Sequence, residues 1–174
     1  MAIRPILRYP DPRLQSQCRT VGERLDGLEA LVRDMTETMY SASGAGLAAI
    51  QVGEPIRLFI VESSVAGLGP QAAPMVFIDP EIVELSAEKE LADEGCLSFP
   101  GVYVPVERSY RVLTRARNLR GELFEVAGEG LFARAMQHEN DHLNGRLLAD
   151  YVGRLKRQLI RRKLEREAAA RSSD

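Results

Sequence analysis

The chain has 174 residues, of which 45% are hydrophobic and 28% are charged. This length suits one domain with a hydrophobic core, and the composition excludes a globally disordered protein. No segment approaches the roughly 20 apolar residues of a membrane-spanning helix. The first residues contain no apolar run of signal-peptide length and are interrupted by prolines at positions 5, 10 and 12. We therefore expect a cytoplasmic protein.

The formal net charge of −2 conceals an uneven distribution. Residues 154–171 contain eight Lys or Arg and two Glu, which gives +6 for this segment and −8 for the rest of the chain. A basic tail on an acidic body suits contact with a polyanion, and a solvated basic helix face explains it equally well. The two cysteines, Cys18 and Cys96, allow one disulfide, but a free thiol or a metal-bound thiolate is favoured without a secretory signal.

The first half of the chain reads as one helix followed by short strands. Residues 1–24 are expected to be irregular. Asp26 is predicted to cap a helix in which apolar residues recur at helical spacing, and which ends near residues 41–44. A Gly-, Ala- and Pro-rich surface loop is predicted at residues 63–74. Short segments with strand character are predicted at 56–61, 75–78, 82–85, 103–106, 110–117 and 122–127.

Two further helices are predicted near the C-terminus. One runs from about residue 131 to 143 and ends at Asn144 and Gly145. The other covers about residues 151–170, with an apolar stripe of Val152, Leu155, Leu159 and Leu164. Strands and helices without regular alternation indicate an α+β fold. We expect a single catalytic domain over residues 1–174, with a basic helical tail at about 151–171.

The only two histidines of the chain, His138 and His142, lie in the segment His-Glu-Asn-Asp-His. Residues four apart on an α-helix project from the same side, so both imidazoles can reach one metal ion. Glu139 lies about 100° around the helix from His138, where its carboxylate can reach a metal-bound water without being a ligand. Two surface or core histidines are the alternative, and chance rarely produces this spacing with Glu in second place.

A catalytic site of this kind needs three protein ligands and an open position. The longer protease pattern that ends in a third histidine is not met, because Leu148 occupies that position. A downstream glutamate would lie in the basic tail, where positive charges would pair with it. Cys96 is better placed, because Gly95 and Gly101 allow sharp turns and close backbone approach. Cys18 is interpreted as a buried structural thiol.

Three segments together resemble the signature motifs of the peptide deformylase family, in the same order and at similar separations. They are Gly-Ala-Gly-Leu-Ala-Ala-Ile-Gln at 44–51, Glu-Gly-Cys-Leu-Ser at 94–98, and Gln-His-Glu-Asn-Asp-His-Leu at 137–143. The likeness extends over almost the whole chain, and the short loop at 63–74 is typical of the compact bacterial class. The resemblance implies antiparallel sheets packed around a central metal-binding helix, with an N-terminal and a C-terminal helix.

The resemblance also implies an activity and its residues. It implies hydrolysis of the N-formyl group from formyl-methionyl nascent peptides, with formate as product. The metal would be one divalent ion, Fe²⁺ in the cell, which Zn²⁺, Ni²⁺ or Co²⁺ can replace. It implies Cys96, His138 and His142 as metal ligands. Glu139 would carry the proton, and the Gln51 amide and the Leu97 backbone N–H would stabilise the oxyanion.

Three glycines and the basic tail complete these expectations. Gly44, Gly46 and Gly95 are expected to let the backbone approach the substrate peptide closely. The resemblance implies that the basic tail docks on the ribosome, and no membrane or DNA partner is expected. Two other hypotheses remain open, a zinc endopeptidase that uses the same histidine pair and a non-catalytic metal-binding domain with four ligands.

Overall fold

The computed structural model describes residues 2–173, which fold into two antiparallel sheets and three α-helices. The α+β prediction is confirmed. The helices are α1 (Leu28–Ser41), α2 (Gly130–Leu143) and α3 (Arg154–Arg171), with short 3-10 helices at Pro12–Gln15, Ala49–Val52 and Leu148–Tyr151. The strands are β1 (Gly46–Ala48), β2 (Leu58–Val61), β3 (Met75–Leu85), β4 (Lys89–Cys96), β5 (Phe99–Ser109), β6 (Arg111–Arg117) and β7 (Leu123–Glu129).

The larger sheet has the order β1-β2-β3-β6-β7 and is covered by a helix on each face. Side chains alternate between the two faces of a strand, and β2 is buried at all four positions. Leu58 and Ile60 share a core cluster with the apolar face of α1, whereas Phe59 and Val61 pack with α2. The continuous apolar run of β2 therefore places α1 and α2 on opposite sides of one sheet.

The smaller sheet is the two-stranded ribbon of β4 and β5. Val102, Val104 and Val106 of β5 are buried, and the residues between them are exposed. The buried face packs against Ile160 and Leu164 of α3 in a second core cluster. This packing attaches the C-terminal helix to the ribbon that also carries Cys96.

The helix α2 follows β7 without a loop and contacts strands of both sheets. Gly130 makes this junction possible because its φ of +58° lies in the left-handed region, which glycine tolerates best. The helix ends at Leu143, directly before the stop at Asn144 and Gly145 that the sequence predicts. Its central position brings residues from both sheets and from α2 to one place. Within residues 2–173, none of the helices is both long enough and apolar enough to cross a bilayer.

Several predicted boundaries in the first half are wrong. Asp26 does not cap α1; the cap position is Gly27, which has a left-handed conformation and makes no side-chain capping bond. The strands predicted at 75–78 and 82–85 form one strand, because Asp79 and Pro80 create a register shift within β3 rather than a turn. The Asp79 carboxylate accepts hydrogen bonds from the N–H groups of Val21 and Gly22, which fixes this irregular backbone.

Two strands were missed or shortened for the same physical reason. β4 was not predicted, because its sequence Lys-Glu-Leu-Ala-Asp-Glu-Gly-Cys has little intrinsic strand preference. β5 extends well beyond the predicted 103–106, although Pro100, Gly101 and Pro105 interrupt its sequence pattern. The pairing between the two strands supplies the hydrogen bonds that local preference does not.

The predicted apolar stripe of the C-terminal helix is largely wrong. Leu155 and Leu159 are 72% and 55% exposed, and Val152 precedes the helix. The buried residues are Ile160 and Leu164, which lie four apart and face β5. The helix therefore packs through one narrow face.

Candidate active site

Three side chains with metal-ligating atoms meet where the two sheets approach α2. Cys96 ends β4, whereas His138 and His142 project from the same side of α2. Cys96 Sγ lies 3.4 Å from His142 Nε2, and the two imidazole ring centroids are 5.0 Å apart. One ligand atom from each residue lies within 4.8 Å of the others. The structure thus brings together the three residues that the sequence predicted as ligands.

The geometry and chemistry of this group fit one divalent cation. Ligand atoms held tetrahedrally at 2.0–2.3 Å from one ion lie about 3.3–3.7 Å apart, which includes the Cys96–His142 separation. The Nδ1 atom of His138 bonds Glu94, so its Nε2 atom is left for a metal. One thiolate and two imidazoles are suitable donors for zinc, iron, nickel or cobalt. No fourth His, Cys, Asp or Glu joins the group anywhere in residues 2–173.

The carboxylate of Glu94 orients the first histidine. Its Oε1 accepts a hydrogen bond from His138 Nδ1 at 2.8 Å, which fixes the tautomer and the ring plane. Glu94 is 5% exposed and also forms a bidentate pair with Arg108 and a 2.7 Å bond with Arg134. Burial opposes its charge, but the hydrogen bonds from Arg108 and His138 hold the pKa of Glu94 at about 2.

The carboxylate of Glu139 lies beside the histidines but outside the ligand group. Glu139 is 5% exposed, and its Oε2 has no hydrogen-bond partner among residues 2–173. Burial raises the pKa of this carboxyl to about 7. A carboxyl that titrates near neutrality can both accept and return a proton, which is the property of a general acid–base catalyst.

An open cavity of about 630 Å³ leads to these side chains. The predicted residues Gln51, Leu97, Gly44, Gly46 and Gly95 all line it. The lining also includes the apolar residues Leu131 and Ala135, two of the three ligand residues, Cys96 and His138, and the carboxylate residue Glu139. The cavity therefore contains eight of the nine site residues predicted from the sequence, and His142 lies behind them, 2% exposed.

The side-chain amide of Gln51 is held in one orientation. Its Oε1 accepts a 2.9 Å hydrogen bond from the Ala48 backbone N–H. Its Nε2 therefore faces Ser98 Oγ at 3.0 Å and Cys96 Sγ at 3.6 Å. Leu97 lies in the two-residue turn between β4 and β5, directly after Cys96. Both predicted oxyanion donors thus belong to residues that adjoin the proposed ligand Cys96.

Two glycines bring the backbone close to functional side chains. A Cβ atom on Gly46 would lie 2.7 Å from Glu139 Oε1, and one on Gly44 would lie 2.7 Å from Leu97 Cδ1. Neither distance is compatible with a real side chain unless the neighbour moves. At Gly95, a Cβ would approach the Tyr103 ring at 3.0 Å. A side chain at any of these three positions would therefore require a neighbouring side chain to move.

We expect Gly46→Ala to reduce turnover more than Gly44→Ala. The added methyl of the first variant must displace the Glu139 carboxylate, whereas that of the second displaces only the flexible end of Leu97. A misplaced catalytic group can cost about 10²-fold in rate. Steady-state kinetics and thermal melting of both variants check this, since melting curves separate a local shift from unfolding. Equal turnover in the two variants would contradict the expectation.

The second cysteine takes no part in this site. Cys18 is 7% exposed and packs in the core cluster between the larger sheet and α2. Burial raises the pKa of its thiol to about 11, so the sulfur stays protonated at neutral pH. The interpretation of Cys18 as a core thiol agrees with this position.

Sequence reasoning missed most residues that surround the ligands. Glu94 and Ser98 flank Cys96 in a segment already singled out, so their position was the available signal. Arg108, Arg134 and Tyr151 offered no signal, because they come from different elements and meet only in the folded chain. Arg134 precedes His138 by one helical turn, and no motif marked it.

An α+β fold in which one cysteine sulfur, two imidazoles and a buried carboxylate meet at an open cavity is typical of metal-dependent hydrolases. The polypeptide deformylase family model matches residues 3–158. A peptide deformylase from Acinetobacter baumannii (strain SDF) is 46% identical over 166 residues, which cover 95% of this chain and 92% of that protein. One from Azotobacter vinelandii is 47% identical over 96% of this chain and 97% of its own.

A solved structure supports the same relationship. The crystal structure of a peptide deformylase from Legionella pneumophila superposes with a TM-score of 0.90 at 41% identity, over 99% of both chains. This chain therefore belongs to the polypeptide deformylase family of metal-dependent hydrolases, which remove the N-formyl group from new polypeptides.

Proposed function

We propose that this chain hydrolyses the formamide bond of N-formylmethionyl nascent peptides, with Cys96, His138 and His142 as the ligands of one divalent metal. The observation that supports this most directly is the convergence of these three side chains beside the buried carboxylate of Glu139, at the base of an open cavity. Three ligands with no fourth among the described residues favour a catalytic over a purely structural metal site.

Formamide hydrolysis requires proton transfers that Glu139 is placed to perform. A divalent cation held by the three ligands would supply Lewis acidity, which acidifies water and polarises the formyl carbonyl. Glu139 accepts the proton of the attacking water at its carboxylate and then donates it to the departing nitrogen. Burial raises the pKa of this carboxyl in the metal-free protein to about 7, which favours its role as a proton carrier.

The developing oxyanion requires fixed hydrogen-bond donors. The Ala48 N–H donates to the side-chain oxygen Oε1 of Gln51, so the Nε2 donor of Gln51 is directed toward Cys96. The backbone N–H of Leu97, one residue after Cys96, is the second proposed donor. Loss of one such donor typically reduces the rate by about 10²–10³-fold.

The cavity suits an extended peptide with an apolar first side chain. Leu131 and Ala135 line one side of it and provide an apolar surface for the methionine side chain. The segment around Gly44 and Gly46 forms another wall, in which the two glycines let the backbone pass close to Leu97 and Glu139. The strand that follows Leu97 is proposed to pair with the peptide as an added strand.

We propose Fe²⁺ as the ion bound in the cell, with Zn²⁺, Ni²⁺ and Co²⁺ as substitutes. A thiolate ligand makes the site less cationic than a third histidine would, and suits ions of intermediate softness. Elemental analysis of protein purified without oxygen tests this choice. The same thiolate would expose the ferrous enzyme to oxidative inactivation.

A formate-release assay tests the proposed activity. We expect the chain to release formate from formyl-Met-Ala-Ser, and to cleave no internal bond of an unformylated peptide of the same length. Cleavage of internal bonds would support the endopeptidase hypothesis. Absence of both activities in protein with one bound metal per chain would support the non-catalytic hypothesis.

We also propose that the basic C-terminal helix docks on ribosomal RNA, which would place the chain in the cytoplasm beside its substrates. α3 is held on β5 by Ile160 and Leu164, so its remaining faces are available. Leu155 and Leu159 are exposed there. Several basic side chains of α3 are exposed and form no hydrogen bond or ion pair within residues 2–173: Arg154, Lys156, Arg162 and Arg166. Clustered cations without internal partners suit a polyanionic surface.

Deletion of α3 is a poor test, because it would expose the core around Ile160 and Leu164. We expect that replacement of Arg154, Lys156, Arg162 and Arg166 by Gln weakens ribosome cosedimentation, more strongly at low than at high salt. A control with the same change of charge replaces four exposed cations elsewhere by Gln: Arg24, Arg33, Arg111 and Arg120, of which the last two pair with Glu88 and Glu122. If both variants cosediment with ribosomes to the same extent as the wild-type protein, this role for α3 is excluded.

A further inference from the structure

A buried polar network extends from the ligand His138 to the segment that precedes the C-terminal helix. Its centre is Arg108 of β5, which is 6% exposed. The Nε and Nη2 atoms of Arg108 donate to both oxygens of Glu94 at 2.8 Å. Its Nη1 donates to Asp141 Oδ2 at 2.7 Å and to the Tyr151 hydroxyl at 3.0 Å. Every nitrogen of the guanidinium therefore has a partner.

Tyr151 closes the outer end of this network. It is the last residue of the 3-10 helix Leu148–Tyr151, three residues before α3 begins. Its hydroxyl donates to Asp141 Oδ2, so Arg108, Asp141 and Tyr151 form a hydrogen-bonded triangle. Two guanidinium groups also lie over the Tyr151 ring, with their Cζ atoms 4.9 Å (Arg108) and 4.4 Å (Arg146) from the ring centroid. Burial raises its pKa to about 12, so the hydroxyl keeps the proton that it donates.

The network bonds one histidine of the ligand group and adjoins the other along the chain. Glu94 sets the ring plane of His138, and the position of Glu94 depends on Arg108. Asp141 directly precedes His142 on α2 and holds the other end of the same guanidinium. Partners that orient ligating histidines influence metal affinity and activity strongly, even though they do not touch the metal. Removal of the Tyr151 hydroxyl would remove two hydrogen bonds from this network, one to Asp141 and one from Arg108.

We propose that Tyr151 is a positioning residue for the deformylase reaction, which acts through Asp141 and Arg108 on Glu94 and thereby on His138. This inference rests on the proposed function of the site. It assigns a role at the metal site to a residue outside the cavity and outside the three motifs. It also implies that the segment leading into α3 contributes to catalysis independently of any docking by α3 itself.

The test compares Tyr151→Phe with the control Tyr110→Phe. Tyr110 is half-buried, and its hydroxyl makes no hydrogen bond within residues 2–173. We expect Tyr151→Phe to lower kcat about tenfold, with KM within about twofold of wild type, because the cavity surface is unchanged. Release of bound metal to a chelator should accelerate about tenfold. A kcat and a metal-release rate equal to those of Tyr110→Phe would overturn the proposal.

A second variant separates positioning from general loosening of the fold. Asp141→Asn should also accelerate metal release. Adding Tyr151→Phe to the Asp141→Asn variant should accelerate metal release by less than about twofold further, because the effects of substitutions at contacting residues of one network are not additive. Fully additive effects on metal release would reject a path through Asp141. Metal release requires no substrate, so it tests the role of Tyr151 even if the wild-type protein releases no formate. Absence of formate release from the wild-type protein would reject the proposed function alone.

Discussion

We expect Glu139→Gln to retain its metal and to lose nearly all formate release from formyl-Met-Ala-Ser. Glutamine preserves the shape of the side chain but cannot accept the proton of the attacking water. Proton transfer by a positioned side chain typically contributes about 10²–10⁴-fold to the rate. Burial of Glu139 away from other protein partners supports this role, since its Oε2 bonds no other group of residues 2–173. Metal content and kcat are measured on the same preparation.

The control for this variant is Glu81→Gln, at a side chain that is 68% exposed on β3. It should keep both metal and activity, because its carboxylate lies outside the cavity. Substantial residual turnover by Glu139→Gln with full metal occupancy would reject Glu139 as the proton carrier. Loss of metal from that variant would instead indicate that Glu139 is a ligand.

The second large effect is expected for Cys96→Ala, which should bind metal at least about 100-fold more weakly than wild type. Loss of an outer partner of a ligand alone costs about 10–100-fold in affinity, so loss of the ligand itself must cost more. The variant removes one of only three donors in the group. Equilibrium dialysis against a metal buffer measures the affinity, and elemental analysis measures the occupancy.

Cys18→Ala is the matched control, because it also exchanges a cysteine for alanine. Its sulfur lies in the core between the larger sheet and α2, so the cavity left behind should lower the melting temperature. Its metal affinity should remain that of wild type. Equal metal affinity in the Cys96→Ala and Cys18→Ala variants would remove Cys96 from the site.

The charges around Glu94 also explain why a buried ionic cluster is tolerated here. Two carboxylates, Glu94 and Asp141, balance two guanidinium groups, Arg108 and Arg134. Buried ions are costly unless they are paired and fully hydrogen-bonded. Arg134 meets this condition with backbone bonds to Val106 and Glu90 as well as its bond to Glu94. The cluster is thus neutral in sum, and it fixes His138 without an unpaired charge.

The sequence by itself determined those parts of the protein that depend on local spacing. Two histidines four apart with Glu139 between them specify one face of a helix, because helical geometry is the same in any context. The apolar periodicity of α1 and the stop at Gly145 are local in the same sense. Cys96 was identified because its surrounding motif is contiguous. These residues carry the proposed chemistry.

Only the tertiary structure decided which distant residues support that chemistry. Arg108 and Tyr151 are 43 positions apart, and their contact with Glu94 and Asp141 depends on how β5 and the C-terminal segment pack. Tertiary packing also decided which face of α3 is buried. Leu159 and Ile160 are both strongly apolar, but only Ile160 packs against β5. Hydrogen bonds and packing between distant segments leave no periodicity in the chain, so their partners become apparent only after folding.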